Sequence, residues 1–250
     1  LGATRLTGLS GGDIPLPVTQ DYDFAWLAEE EAITLQKKKF DGPKLSPNRL
    51  GAGVDINNRL LMQSSVNVEQ IIRQQLANGY DGAINAAAIN GPGTGNAPKG
   101  ILNTDGIGLS TTVAGAAPTR KSITELISLV MSADSTSENL SFLMTHLLHG
   151  DLMSRLADAG SGRYLMNENN VLNGYNAVAS NHVPQLGGLE TLIFGDFSQL
   201  FIGEWGSMSV VTDGYTGAST NSVRLWVNGH ADVAIAQPKA FAAHKFNDIS

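Results

Sequence analysis

Cysteine is absent from the 250-residue chain. That excludes a disulfide framework, a thiolate nucleophile and any Cys-ligated metal, and it fits a reducing compartment. Charge is scarce: Asp, Glu, Lys and Arg make up 16% of residues, against about 25% in an ordinary globular chain. The charge that is present leans acidic, with 23 Asp and Glu against 16 Lys and Arg and a net −7. Such a chain lacks the basic face that nucleic-acid binding needs to displace counterions. It also keeps copies from clumping indiscriminately. No run of 18 uncharged apolar residues occurs, so no membrane-spanning helix is expected. No basic stretch followed by an apolar one heads the chain, so no signal peptide is expected either. The first residue is Leu1 and not Met, which points to a processed or truncated product. No internal repeat and no Pro/Ser-rich linker divides the sequence.

Apolar residues are plentiful at 42%, enough for a sizeable core and too many for a disordered chain. The length allows one large domain or two small ones. The 28 glycines imply many turns, and so little charge suits a surface that meets protein. Leu1–Gly12 reads as an extended arm, and the prolines of Asp13–Gln20 demote that stretch to an edge strand or arm. Ala25–Phe40 carries two charged triplets, Glu29-Glu30-Glu31 and Lys37-Lys38-Lys39. Folded as a hairpin around Thr34, the triplets become cross-strand pairs. Wound as a helix, they mostly miss each other. The hairpin is preferred although its tip lacks Gly, Asn and Pro; the plainer reading is a solvated charged surface.

Val54–Met62 reads as a short strand running into a turn. Asn67–Ile89 places Val68, Ile71, Ile72, Leu76, Tyr80, Ala83, Ile84 and Ala87 at three- and four-residue spacings. That is the stripe of a helix, roughly 35 Å long at ~1.5 Å per residue. Asn67 with Gln70 resembles a capping box, and Gly91-Pro92-Gly93 ends the helix. A second helix is predicted over Pro118–Met131, with a capping box at Ser122 and Glu125. Ser132–Asn139 reads as a polar break, Leu140–Thr145 as a buried strand and Leu147–Ala159 as a third helix stopped at Gly160. The remainder reads mostly as strands: Thr191–Gly195, Gln199–Glu204, Met208–Thr212, Val223–Val227, Val233–Gln237 and Phe241–Lys245. Helices and strands are segregated, so the class is α+β.

The Gly91–Gly100 loop fails as a phosphate cradle. Counted from Gly95, the Walker spacing reaches Gly100, but Ile101-Leu102 stand where Lys and Ser/Thr belong. A dinucleotide fingerprint would put Gly at Asn96 or Pro98, and the loop follows a helix where that motif needs a strand. The loop therefore reads as a helix stop and rigid turn. His146 and His149 have H-x-x-H spacing, but no Glu adjoins them and Gly150 interrupts, so solvated or capped histidines are the better reading. His182, His230 and His244 are isolated, and no G-x-S-x-G elbow occurs. Trp26, Trp205 and Trp226 are not interleaved with basic clusters, so they read as core or interface packing. No catalytic, cofactor-binding or metal-ligating residue is nominated. An arm, a charged loop and a long central helix instead suit a protein that grips copies of itself.

Several segments then follow in a recognisable order. They are Thr4-Arg5-Leu6, Asp13–Gln20, Ala25–Phe40, Leu45–Gly51, Val54–Asn57, Leu60–Ser64 and Asn67–Ile89. After them come Asn90–Gly95 with Ala97–Asn103, then Gly162–Leu165 with Gly174-Tyr175, then Gly195-Asp196-Phe197. In this order they resemble the major capsid proteins of tailed bacteriophages, the Hong Kong 97-like fold shared with encapsulin shells. The resemblance covers nearly all of the chain, and its most specific stretch is the Gly/Pro run ending in Gly100-Ile101-Leu102.

The resemblance implies a residual N-terminal arm (1–17), a projecting E-loop hairpin (18–52), a peripheral domain with the spine helix (53–104 and 196–235) and an axial domain (105–195 and 236–250). It implies a structural protein and no enzyme, forming pentamers and hexamers that tile an icosahedral phage or prophage head around double-stranded DNA. Expected partners are other copies, a portal protein, a maturation protease that removes a leading scaffold segment, and packaged DNA held without tight specific binding. No cofactor, metal or membrane is implied; the location is the virion, assembled in the bacterial host cytoplasm. Glu29, Glu30, Glu31, Lys37, Lys38 and Lys39 become candidate inter-subunit ion pairs, which give register more than affinity. Some relatives join an E-loop lysine to an asparagine with help from a glutamate. Asn221 resembles that asparagine, and Lys37, Lys38, Lys39 or Lys44 the lysine, but Asn228 stands at the glutamate position. With no carboxylate to take the lysine proton, a non-covalent shell is expected unless another acid substitutes. Rival readings are an encapsulin-type nanocompartment, a soluble hydrolase with a triad around His146 or His182, and a secreted adhesin.

Overall fold

The computed structural model describes residues 1–16, 26–27, 42–59, 68–110, 114–132, 139–157 and 162–247. Strands β1 (Thr4–Leu6), β2 (Ile14–Pro15), β3 (Lys44–Leu45) and β4 (Asn48–Asn57) precede helix α1 (Val68–Asn90). Strand β5 (Gly108–Leu109), helix α2 (Arg120–Met131), strand β6 (Leu140–Met144) and helix α3 (His146–Ser154) follow. Then come β7 (Val171–Leu172), β8 (Tyr175–Ala179), β9 (Glu190–Asp196), β10 (Leu200–Glu204), β11 (Ser209–Asp213), β12 (Ser222–Ile235) and β13 (Phe241–Phe246). The hairpin expected over Ala25–Phe40 lies outside the described residues, apart from the exposed Trp26 and Leu27.

The central helix forms as its periodicity predicts, over 23 residues. Its burial is uneven. Ile84, Ala88 and Ile89 are buried, whereas Ile71 and Ala83, part of the predicted stripe, are exposed. After Asn90 the chain folds back on the helix end. Gly91 N–H donates to Ala87 O at 2.8 Å, Gly93 N–H to Pro98 O at 3.0 Å and Gly100 N–H to Gly91 O at 2.9 Å. Asn103 Nδ2 adds a bond to Gly91 O at 2.9 Å. These loop amides serve the loop itself, in keeping with a helix stop.

β12 is the axis of the first sheet. Along one side it pairs antiparallel with β4, from Ser222 opposite Asn57 to Ala231 opposite Asn48. Along the other it takes β11 on its first half and β10 on its second, and β1 adds parallel to β10. Two separate strands, Val223–Val227 and Val233–Gln237, are predicted here, and the structure has one. Asn228-Gly229 reads locally as a turn, but both residues have partners on β4, and the ladder satisfies backbone groups that a turn would leave open. The N-terminal arm is likewise partly a strand of this sheet.

The second sheet runs β5-β13-β9-β6-β8-β7. Every residue of β6 and of β9 is buried, because both faces are covered. Leu143 and Ile193 join Ile84, Ala88, Ile89, Val233 and Phe241 in one core. Phe142, Met144, Leu192 and Phe194 join Ile123, Leu126, Leu148 and Leu152 of α2 and α3 in another. That explains apolar runs without alternation. The rings of Phe142 and Phe194 sit 4.4 Å apart, centroid to centroid.

Two helix ends differ from expectation. The cap of α2 is Thr119, in extended conformation, and Ser122 is its buried third residue; Thr119 Oγ1 accepts Ser122 N–H and Ser122 Oγ accepts Thr119 N–H. The box is thus Thr119 with Ser122 and not Ser122 with Glu125, whose Oε2 accepts from Ser110 Oγ at 2.9 Å. α3 ends at Ser154, short of Ala159. Arg155 turns extended, and the backbone pairs with the following segment through Leu165 N–H to Arg155 O (2.9 Å) and Ala157 N–H to Arg163 O (2.7 Å).

Candidate assembly surfaces

Strands β4, β12 and β11 form a three-stranded ribbon. One face meets α1: the ring of Tyr80 lies so close to Gly229 that a Cβ there would stand 2.7 Å from its Cζ. Burial raises the Tyr80 pKa above its ordinary value. Residues on the opposite face follow from the register. Val211, Trp226 and Gly53 share one row, and Asp213, Arg224 and Asp55 the next. Trp226 covers Gly53, where a Cβ would meet its ring at 2.6 Å, yet remains 44% exposed, and Val211 is 53% exposed. Arg224 Nε donates to Asp55 Oδ2 at 3.1 Å. The Asp55 carboxyl is held below its ordinary pKa by hydrogen bonds from Ser222 and Arg224. The result is an apolar centre rimmed by paired charge, a composition that fits protein contact.

At the end of this ribbon Asp213 Oδ1 accepts the N–H of Tyr215 (2.9 Å) and of Thr216 (3.1 Å), and Oδ2 accepts Thr216 Oγ1. These bonds hold an exposed tip whose Tyr215 is 93% accessible. At the far sheet, Met153, Leu156 and Tyr164 are exposed. Met153 and Tyr164 line an open depression of about 840 Å³ with Arg163 and Glu168.

The arm is tied to both helix and sheet. Arg5 Nη2 meets Asp81 Oδ1 at 3.0 Å and Glu204 Oε1 at 2.5 Å. The Glu204 hydrogen bond holds the Arg5 pKa above its usual value. Arg5 and Glu204 stand on the paired strands β1 and β10.

The residues nominated from sequence fare differently. Glu29, Glu30, Glu31, Lys37, Lys38 and Lys39 lie outside the described residues. Asn221 is exposed with φ 51°, and its Oδ1 accepts Asn58 Nδ2 at 2.9 Å. Asn228 lies further along the same ladder, some 20 Å away at ~3.3 Å per residue, so one subunit does not bring the two together. Asn228 Oδ1 accepts Arg49 Nε at 3.1 Å and Nη2 at 2.6 Å. His146 is exposed and His149 Nε2 bonds Asn170 Oδ1 at 3.1 Å. Among the described residues no group of three His, Asp or Glu could hold a metal, and no helix is long and apolar enough to cross a membrane. Sequence reasoning missed the Trp226–Gly53 row and the Arg5–Glu204–Asp81 cluster. Their only local signal is an aromatic or charged residue within a strand or, for Asp81, within α1, since each partner lies far off in sequence.

The profile of the phage capsid family matches residues 2–246. The major capsid protein of Halomonas phage phiHAP-1 is 30% identical over 244 residues, covering 97% of this chain and 39% of that protein. The major capsid protein of Klebsiella oxytoca phage phiKO2 is 29% identical over 221 residues, covering 84% of this chain and 51% of that one. The chain thus spans between about two fifths and half of the lengths of these relatives. In fold it is similar to the capsid subunit of an empty GTA particle, with a TM-score of 0.78 at 21% identity, over 98% of this chain and 88% of that one. The α+β fold expected from the resemblance is that of these capsid subunits, and by its sequence match from end to end the chain belongs to the phage capsid family.

Proposed function

We propose that this chain is the shell-forming part of a phage major capsid protein. Copies assemble as pentamers and hexamers into an icosahedral head that encloses double-stranded DNA. The carrying observation is the 30% identity to the phiHAP-1 major capsid protein across 97% of this chain. The role is structural and not enzymatic, and the location is the virion, with assembly in the bacterial host cytoplasm. The chain's phage relatives favour this over a nanocompartment shell or a hydrolase.

In this reading α1 and most of the first sheet, without β1 and the first half of β4, belong to the peripheral domain (53–104 and 196–235) and the second sheet largely to the axial domain (105–195 and 236–250). Residues 18–52 supply the E-loop, whose Glu29–Glu31 and Lys37–Lys39 pair with neighbouring copies. The face bearing Trp226 and Val211 supplies further contact area. Portal protein, maturation protease and DNA are the other partners, and the net charge of −7 favours loose contact with DNA. Purified chain, taken through a series of salt and protein concentrations and viewed by electron microscopy, should give capsomers or closed shells. A strict monomer throughout, also in the context of its complete gene product, would refute the proposal.

A further inference from the structure

Residues Ala3–Leu9 lie along the side of β10 that β12 leaves open. β1 adds three parallel pairs there, from Thr4 opposite Phe201 to Leu6 opposite Gly203. Beyond the ladder Leu9 N–H donates to Glu204 O at 3.0 Å, and Thr4 Oγ1 donates to Ser198 O at 3.1 Å. Gly11 follows, exposed and with φ +91°, a conformation open mainly to glycine. Leu6 packs toward buried Leu45 and Ala234, and Ala3 against the core that α1 shares with both sheets. Leu1 and Ala3 also wall an apolar cavity of about 310 Å³ that Ala88, Ile89, Leu200 and Ile202 line with them. A three-residue parallel ladder at a sheet edge is a weak hold. Arg5 adds to it. Its Nε and Nη2 donate to Glu204 Oε1 at 2.8 and 2.5 Å, and Nη2 also donates to Asp81 Oδ1 on α1 at 3.0 Å. The Arg5 and Asp81 side chains are half exposed, so dissolved ions reach them.

We propose that Ala3–Leu9 is a salt-released strap: Arg5 clasps it to α1 and β10, and screening of that clasp lets it lift from the edge of β10. Lifting bares the backbone of Phe201–Gly203 and takes one wall from the apolar cavity. An unpaired edge is a template for another strand, so the clasp decides when this edge is offered. Ion pairs between exposed side chains are individually weak and fall away as salt rises. That makes this clasp adjustable where a fully buried pair would be fixed. The neighbouring ion pairs do not touch the strap: Arg73 is held by Glu69 on α1 itself, and Arg224 meets Asp55 across β12 and β4. The strap belongs to the single chain, and its behaviour is independent of shell assembly.

Residue-resolved amide exchange on the full 250-residue chain tests this at constant pH in KCl from about 0.01 to 1 M, a range over which the screening length falls from about 30 to 3 Å. The reporter is the Leu9 amide, referenced to the Phe194 amide in buried β9. Across the series the Leu9 rate should rise roughly five-fold relative to Phe194, the effect expected of two exposed ion pairs. Arg5→Ala should show the fast rate at every salt concentration. Asp81→Asn, which leaves Arg5 on Glu204, should fall between the two at low salt. Arg73→Ala removes an exposed pair of the same helix away from the strap and should keep the wild-type response. A Leu9 rate indifferent to salt, a salt response that persists in Arg5→Ala, or an Arg73→Ala chain that behaves like Arg5→Ala overturns the strap. If Arg5→Ala does not fold, Asp81→Asn decides, since a salt response as large as that of the wild type overturns the clasp.

Discussion

Replacing Gly100 with Ala tests the account of the Gly91–Gly100 loop as the seam that locks α1 into the core. A Cβ at Gly100 would stand 2.6 Å from Ala87 O and 2.7 Å from Asn90 N. Both are backbone atoms of the helix's last turn, so no rotamer change relieves the overlap. The loop must lift, breaking Gly91 N–H to Ala87 O and Gly100 N–H to Gly91 O, each worth about 1 kcal/mol net. It also withdraws Ile101, whose side chain has no exposed area, at a cost of roughly 1.5–3 kcal/mol if that burial is lost. The expected loss is about 3–5 kcal/mol, a large share of the ~5–15 kcal/mol that holds an ordinary domain together. Urea unfolding followed by circular dichroism reads it as a lowered midpoint at unchanged slope. Gly95→Ala is the control: nothing lies near its Cβ, and only its φ of +67° resists the change, at about 1–2 kcal/mol. A Gly100→Ala loss below about 1 kcal/mol, the value of one hydrogen bond, or a larger loss for Gly95→Ala, refutes the reasoning.

Burial pushes the His244 pKa down, with Glu125 opposing in part. The unfolded chain then takes up this proton at higher pH than the folded one, so stability is full above the unfolded value of about 6.5 and falls as pH drops through the lowered folded value. Melting temperature should decline with acid in the wild type and less so in His244→Gln; parallel slopes would exclude His244 as the group responsible. Charge reversal of Glu29, Glu30 and Glu31 to Lys should block assembly, and adding Lys37, Lys38 and Lys39 to Glu should restore it. Shells that form equally well in every combination would remove these residues from the contact. Assembled particles boiled in detergent should release only single chains if, as the family resemblance implies, Asn228 takes the place of the acid that a crosslink needs; a ladder of linked chains that vanishes in Asn221→Ala would show otherwise.

Local periodicity made α1, the buried run Leu140–Met144 and most of the late strands legible, because their apolar spacing records which face is covered. It failed where partners overrode local preference. Asn228-Gly229 is turn chemistry by itself and mid-strand once β4 lies alongside. Thr119 displaced Ser122 as the cap of α2, and pairing of Arg155 with Leu165 cut α3 short. The strands β5 and β7, of two residues each, carry too few for a pattern to stand out. Of the candidate contact residues, the charged triplets were visible because they are contiguous.

Composition and the order of motifs determined the α+β class, the family resemblance, the long helix and the want of any nominated catalytic group. These depend on which residues stand near each other along the chain. Only tertiary structure brought Trp226 over Gly53 and Arg5 against Glu204. Each of those pairs joins residues more than a hundred positions apart, and such meetings are set by strand register and packing, which no local window of sequence contains.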